Sequence, residues 1–151
     1  ESDSLTGGND VTVFQSPWGV IGIGICYDIR FPELAMIMRE KGASFLVYPG
    51  AFNMITGAAH WDLLQRARAV DNQVFVATCS PARDTSPDAG YVAWGHSSLY
   101  TPWGEQVCSA SSGQEIVYAD IDLNDTNAMR EQIPCWKQKR TDLYTTVQSK
   151  L

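Results

Sequence analysis

Cys26 closes the run Gly22-Ile23-Gly24-Ile25-Cys26 and is followed by Tyr27-Asp28-Ile29-Arg30, with Pro32 and Glu33 just beyond. A cysteine at the carboxyl end of an apolar strand, with a helix about to begin and a guanidinium nearby, has two features that raise the thiolate fraction of a thiol. Such a sulfur could attack a carbonyl carbon and carry an acyl group. The rival reading is a buried structural cysteine, because free cysteine packs as a small hydrophobe. Cys79, Cys108 and Cys135 sit in ordinary strand or tail patterns and read as structural. Gly22 and Gly24 weaken a strand interior unless a backbone or ligand must come close, which favours the reactive reading of Cys26. A nucleophilic cysteine normally needs a base. His60, at the start of an amphipathic helix, and His96, opening a strand, are the available imidazoles, and they keep a cysteine peptidase among the alternatives. No two Cys or His residues stand at ligand spacing within one loop, so zinc is not expected.

The elements that must position these groups follow from periodicity. Val11-Thr12-Val13-Phe14 reads as a strand, and Ser16-Pro17-Trp18-Gly19 as the turn of a hairpin. Residues 20–26 form a short, wholly apolar run, which predicts a strand central in its sheet. Pro32 and Glu33 suit a first helical turn, Leu34, Met36, Ile37 and Met38 continue it, and Lys41-Gly42 ends it. The pattern then repeats: a strand at residues 45–48, a helix over 59–71 with a stripe of His60, Leu63, Leu64, Ala67 and Val70, and a strand at 73–79. Strands alternating with helices imply parallel pairing. After a polar loop at residues 80–91, three segments (96–100, 106–110 and 115–122) read as antiparallel strands, and a short helix near 123–132 precedes an irregular tail. The expected fold is a layered α/β sandwich with a mixed sheet, in one domain without repeat or linker.

Composition narrows the function. The 151 residues carry 11 Lys+Arg against 17 Asp+Glu, a net charge of -6, with no basic block. That balance lacks the footprint for nucleic acid phosphates or anionic lipid. No apolar run is long enough to span a bilayer. Four cysteines without close pairing suggest reduced thiols in an intracellular compartment. Asn124-Asp125-Thr126 matches a glycosylation acceptor, incidental in such a setting. Trp61, Trp94, Trp103 and Trp136 read as packing residues.

Residues 1–144 resemble the carbon-nitrogen hydrolase (nitrilase) superfamily, and within it the ω-amidase branch. Residues 22–34 are similar to the superfamily's nucleophile elbow. Tyr48-Pro49-Gly50-Ala51-Phe52-Asn53, Thr56-Gly57, His60-Trp61 and the run Arg66 to Val74 are similar to the loop and helix that follow it. Ser80-Pro81-Ala82-Arg83-Asp84 with Tyr91 to Ser97 is the most branch-specific part, and Gln132-Ile133-Pro134 with Lys139 to Tyr144 resembles the C-terminal signature. Tyr27-Asp28 is the amidase-like form, where true nitrilases usually place Trp-Glu. A sibling branch acting on deaminated glutathione tends to carry Ser in place of Gly50 and lacks the Ser-Pro-Ala-Arg-Asp loop.

The resemblance implies an αββα four-layer sandwich of which this chain is the C-terminal part. It implies a cysteine nucleophile at Cys26, a second glutamate 25 residues ahead of it, on Glu1, and an oxyanion donor in the Tyr27 backbone N–H. The base glutamate and the lysine of the family's catalytic set are expected upstream of Glu1, so the fragment alone should be inactive. Implied substrates are 2-oxoglutaramate and 2-oxosuccinamate, with no metal or organic cofactor. Arg30 is the candidate for the substrate's far carboxylate, with a structural pair to Asp28 or Glu33 as its rival role. Phe52 is the candidate for an apolar pocket wall, with core packing as the alternative. A homodimer in the cytoplasm, with a mitochondrial pool compatible, completes the expectation. A deaminated glutathione amidase, a cysteine peptidase and a non-catalytic interaction module remain the alternatives.

Overall fold

The computed structural model describes residues 6–149. Its frame is one six-stranded mixed sheet in which spatial order equals chain order, β1 to β6. β1 (Thr12–Ser16) and β2 (Gly19–Ile23) form the expected hairpin, pairing Thr12 with Ile23 and Ser16 with Gly19. The turn is held by the Ser16 hydroxyl, which donates to the Gly19 carbonyl (2.7 Å) and accepts from the Trp18 and Gly19 N–H groups. α1 (Pro32–Glu40) carries the chain from β2 to β3 (Ala43–Pro49), and these strands pair in parallel. A second helical crossover leads to β4 (Phe75–Cys79), again parallel to β3. It comprises α2 (Met54–Thr56), a π-helical turn at Gly57–Trp61 and α3 (Asp62–Asn72). β5 (Ser98–Tyr100) and β6 (Gln106–Ser109) add antiparallel strands, and α4 (Asn124–Gln132) follows.

The register Gly22, Leu46, Val76, Tyr100 runs across one sheet face, and α1 and α3 pack on it. Met38, Leu46, Tyr48, Trp61, Ala69 and Val76 form the core of that interface. The opposite face carries Ile21, Ile23, Phe45, Val47 and Ala77, which remain half-buried. One sheet with one helical layer is half of a four-layer sandwich, and the half-buried apolar face is where a second sheet would stack.

Four expectations need correction. β2 lies second from the sheet edge rather than at its centre, because the β1 hairpin occupies its outer side. Gly22 and Gly24 are required by protein side chains, not by a ligand: a Cβ at Gly22 would lie 2.6 Å from Met38 Sδ, and one at Gly24 2.5 Å from the Tyr48 ring. The α3 stripe is rotated, since Leu63 and Val70 are 61% and 44% exposed while Gln65, Arg68 and Asn72 are buried. Most of their polar atoms are bonded, although Asn72 Oδ1 has no partner among the described residues. Gln65 Oε1 accepts from both Thr78 and Ser98 hydroxyls at 2.8 Å, and Asn72 Nδ2 donates to the Arg68 carbonyl at 2.9 Å. Finally, residues 115–122 form no strand. Their alternating pattern finds no ladder partner among the described residues, and Ile116 and Tyr118 stand 76% and 86% exposed. The Glu115 carboxylate instead accepts from the Ser111 N–H, which holds its carboxyl below the usual range.

Thr126 of the Asn-x-Thr triplet is buried, its hydroxyl donating to the Leu123 carbonyl at 2.7 Å in the first turn of α4. A helix-terminal hydrogen bond accounts for that residue.

Candidate active site

Cys26 stands where β2 has ended and a 3-10 turn, Cys26–Arg30, begins. Its φ is +50°, one of three positive values at non-glycine residues among the described positions. Such a conformation is disfavoured for a residue with a Cβ and persists only where the surroundings enforce it. Here they do so from several sides. The Ile25 N–H donates to Asp28 Oδ2 (2.8 Å), and the Asp28 N–H donates back to the Ile25 carbonyl (3.0 Å). Gly50 packs against the cysteine backbone so closely that a Cβ there would lie 2.7 Å from Cys26 Cα. Tyr48 is the floor beneath the elbow, and burial, with Asp28 nearby, pushes its phenol well above the usual range, so it stays neutral.

The far side of the turn is fixed by a residue to which sequence reasoning assigned no role. Arg68, buried on α3, donates from Nε to the Ile29 carbonyl (2.9 Å) and from Nη2 to the Arg30 carbonyl (3.4 Å), and its Nη1 pairs with Asp71 at 3.4 Å. The only signal was its place in the Arg66-Ala67-Arg68-Ala69 run, and a helical arginine by itself reads as solvated. Replacing Arg68 by Met in the full-length protein would leave the Ile29 and Arg30 carbonyls unpaired. The expected cost is about 2 kcal/mol in denaturant unfolding. An unchanged unfolding midpoint would show that the turn does not depend on it.

A cleft of about 380 Å³ opens beside the sulfur, and Cys26, Tyr27, Arg30, Phe52, Thr56 and Tyr91 are among its walls. The Cys26 thiol donates to the Ala51 carbonyl at 3.8 Å, and the Tyr91 hydroxyl donates to the same carbonyl at 2.7 Å. Tyr91 belongs to the polar loop after β4, which is anchored by Arg83: Nη2 donates to the Trp94 carbonyl at 2.7 Å, and the Arg83 N–H to Ser112 O at 2.7 Å. The loop thereby closes one side of the cleft. Phe52, buried, stacks edge-on against Trp61 (4.9 Å between centroids), so it is both a pocket wall and a core residue.

Arg30 projects over the same cleft with its guanidinium carbon 4.6 Å from the Phe52 ring centre and 5.3 Å from that of Tyr27. It forms no ion pair with Asp28 or Glu33. The ion pairs among the described residues are Arg68–Asp71 and Arg140–Asp142. The Arg30 Nε is buried without a hydrogen-bond partner. Neither histidine lines the cleft. His60 Nδ1 lies 3.2 Å from Arg30 Nη1, and the His96 ring packs on Trp94 at 4.8 Å. A cysteine–histidine pair is therefore not assembled, and the peptidase alternative loses its base. Glu1, the expected second glutamate, lies outside the described residues. All four cysteines are free thiols, and no group of three or more His, Cys, Asp or Glu among the described residues is placed to hold a metal. Among the described residues no helix is long and apolar enough to cross a membrane.

A larger hollow, about 750 Å³, lies between the half-buried sheet face and residues 119–124. It has neither cysteine nor cation among its lining residues, and so offers no chemistry of this kind.

A cysteine turn at positive φ thus follows a parallel strand and faces a cleft with a guanidinium on an α/β scaffold. The carbon-nitrogen hydrolase profile matches residues 1–131, and the chain belongs to that family. It is 59% identical over 145 residues to Omega-amidase NIT2 of Danio rerio, covering 96% of this chain and 52% of that protein. Against Omega-amidase NIT2 of Homo sapiens it is 55% identical over 150 residues, covering 99% of this chain and 54% of that protein. The chain thus spans about half the length of these relatives. Among solved structures it matches Saccharomyces cerevisiae Nit3, a member of branch 10 of the nitrilase superfamily. The TM-score is 0.87 at 48% identity, over 93% of this chain and 51% of that one. It also matches the C. elegans NitFhit protein, with a TM-score of 0.88 at 38% identity over 95% of this chain and 34% of that one.

Proposed function

We propose that this chain is the nucleophile-bearing part of an ω-amidase that hydrolyses the terminal amide of 2-oxoglutaramate or 2-oxosuccinamate to the dicarboxylate and ammonia. The observation that carries this reading is one cleft lined by both the Cys26 elbow and an Arg30 guanidinium without a carboxylate partner among the described residues. Kinship to proteins called Omega-amidase NIT2 supports it. The substrate places its far carboxylate on Arg30, a planar donor suited to two parallel hydrogen bonds, and its amide carbon over the sulfur.

In the first half-reaction the sulfur forms a bond to the amide carbon, and the carbonyl π pair moves onto oxygen. The Tyr27 N–H, in the first turn of the 3-10 segment, where backbone donors have no intrahelical acceptor, donates to that oxyanion. The thiol proton goes to a glutamate base in the remainder of the full-length protein, where a lysine adds a second oxyanion contact. The oxyanion collapses, the C–N bond breaks, and nitrogen departs as ammonia carrying the proton from the glutamate, which leaves a thioester on Cys26. Water activated by the same glutamate then adds to the thioester carbon. The C–S bond breaks, releasing the acid and restoring the thiol. Glu1 is the second glutamate that orders the site. Every step uses side chains, the Tyr27 backbone N–H and water, without metal or organic cofactor.

We assign the protein to the cytoplasm as a homodimer. Four free cysteines suit a reducing compartment, and exposed Ile55 and Leu63 on the outer helical surface suit a subunit contact. Ammonia release from 2-oxoglutaramate by the full-length protein tests the activity, and no release above a protein-free control would sink it. Arg30→Lys should raise KM for 2-oxoglutaramate about tenfold. The neutral analogue 4-oxopentanamide should be unaffected, and equal losses on both would assign Arg30 a structural role instead.

A further inference from the structure

We propose that His60 is a positioning residue: its Nδ1 accepts a hydrogen bond from Arg30 Nη1 and fixes the guanidinium at the angle that receives the substrate carboxylate. The inference rests on the reading of Arg30 as the carboxylate site. Arginine has no acceptor atom, so at 3.2 Å the imidazole must be the acceptor, with its lone pair on Nδ1 and its proton on Nε2. Nη1 is then oriented from one side, while the Phe52 and Tyr27 ring centres lie 4.6 Å and 5.3 Å from the guanidinium carbon. Nη2 has no partner among the described residues and remains for the ligand, while Nε is buried and unpaired. A free arginine side chain carries about 2 kcal/mol of rotamer entropy, and a pre-set guanidinium loses less of it when the ligand arrives.

The backbone turn that carries the imidazole is anchored at both ends. His60 sits on the π-helical turn Gly57–Trp61, an irregularity that recurs at functional sites. At one end of that turn the Gly57 N–H donates to the Asn53 carbonyl (2.7 Å), and Gly57 abuts Trp94, whose Cβ would be 2.3 Å from an added Cβ. At the other end Trp61 Nε1 donates to the His96 carbonyl at 2.7 Å while its ring packs on Phe52. The turn, the aromatic wall and the guanidinium thus form one continuous assembly around the cleft.

The test uses the full-length protein with 2-oxoglutaramate and 4-oxopentanamide. His60→Leu removes the acceptor and should raise KM for 2-oxoglutaramate about tenfold with kcat within about twofold, leaving kcat/KM for the neutral amide unchanged. His60→Asn, whose Oδ1 replaces Nδ1, should restore KM to within about threefold of the parent. In an Arg30→Met background, His60→Leu should have no further effect, because the two residues act as one unit. Should His60→Leu fail to fold, His60→Gln takes its place, with its carbonyl displaced beyond the Nδ1 position and the same rise in KM expected. Equal losses on both amides, an Asn variant as impaired as Leu, or an unchanged KM would overturn the inference. If Arg30→Met itself leaves the preference for the carboxylate amide intact, it is the reading of Arg30 that falls. If Arg30→Met removes the preference and His60→Leu does not, only the role of His60 falls.

Discussion

Cys26→Ala in the full-length protein is expected to lower kcat for 2-oxoglutaramate by about 10⁴-fold or more, since in the proposed mechanism this sulfur carries the whole acyl transfer. The substitution is a clean one. Alanine keeps the Cβ, so the cost of a φ of +50° is nearly the same before and after, and the sulfur's single weak bond to the Ala51 carbonyl at 3.8 Å contributes little to the fold. Unfolding midpoints should therefore coincide. Acid quenching during turnover, followed by mass spectrometry, should reveal an acylated peptide containing Cys26 in the parent and none in the variant. Full turnover by Cys26→Ala would remove the sulfur from the mechanism altogether.

Gly50→Ala should be the most damaging change among residues that touch no substrate. The new Cβ would lie 2.7 Å from Cys26 Cα, 3.1 Å from its Cβ and 3.3 Å from its N. These are chiefly backbone atoms, which cannot rotate away, and ordinary contact requires about 3.5–4.0 Å, so the elbow must move by roughly 1 Å. A displacement of that size at a reacting atom costs about 10²-fold in rate. The expected result is a fall in kcat of that order with KM for 2-oxoglutaramate little changed, because Arg30 is positioned from α3 and the π turn. Wild-type kcat in Gly50→Ala would mean that the elbow tolerates the shift. Gly50 is thus in contact with the proposed nucleophile.

Much of the frame was legible without coordinates. The two strand–helix–strand units, the hairpin at Ser16 to Gly19 and the helix beginning at Pro32 follow from local periodicity and turn chemistry. Cys26 at the exit of an apolar strand announced an elbow, and Arg30, four residues on in the same turn, does line the cleft with it. Phe52, one strand away, does so as well. Apart from Phe52, which reaches the cleft through the β2–β3 pairing, these rest on short-range order, which neighbours in sequence largely determine.

Other features depended on partners remote in the chain. Gln65, Arg68 and Asn72 face inward because Thr78, Ser98 and the Ile29 carbonyl bond Gln65 and Arg68, and the Arg68 carbonyl accepts from Asn72 Nδ2. No helical stripe of apolar residues could announce that, since burial of a polar group is decided by whether an acceptor or donor waits for it. Residues 115–122 alternate like a strand yet remain unpaired, because a strand exists only as part of a ladder. His60 turned toward Arg30 rather than Cys26 for the same kind of reason. Periodicity placed it on a helix, but the π turn and the packing of Trp61 chose which group its nitrogen would meet. The amino-acid order alone thus set the elements and the location of the sulfur, whereas three-dimensional packing settled which polar groups find one another, because that energy depends on distances that no local pattern encodes.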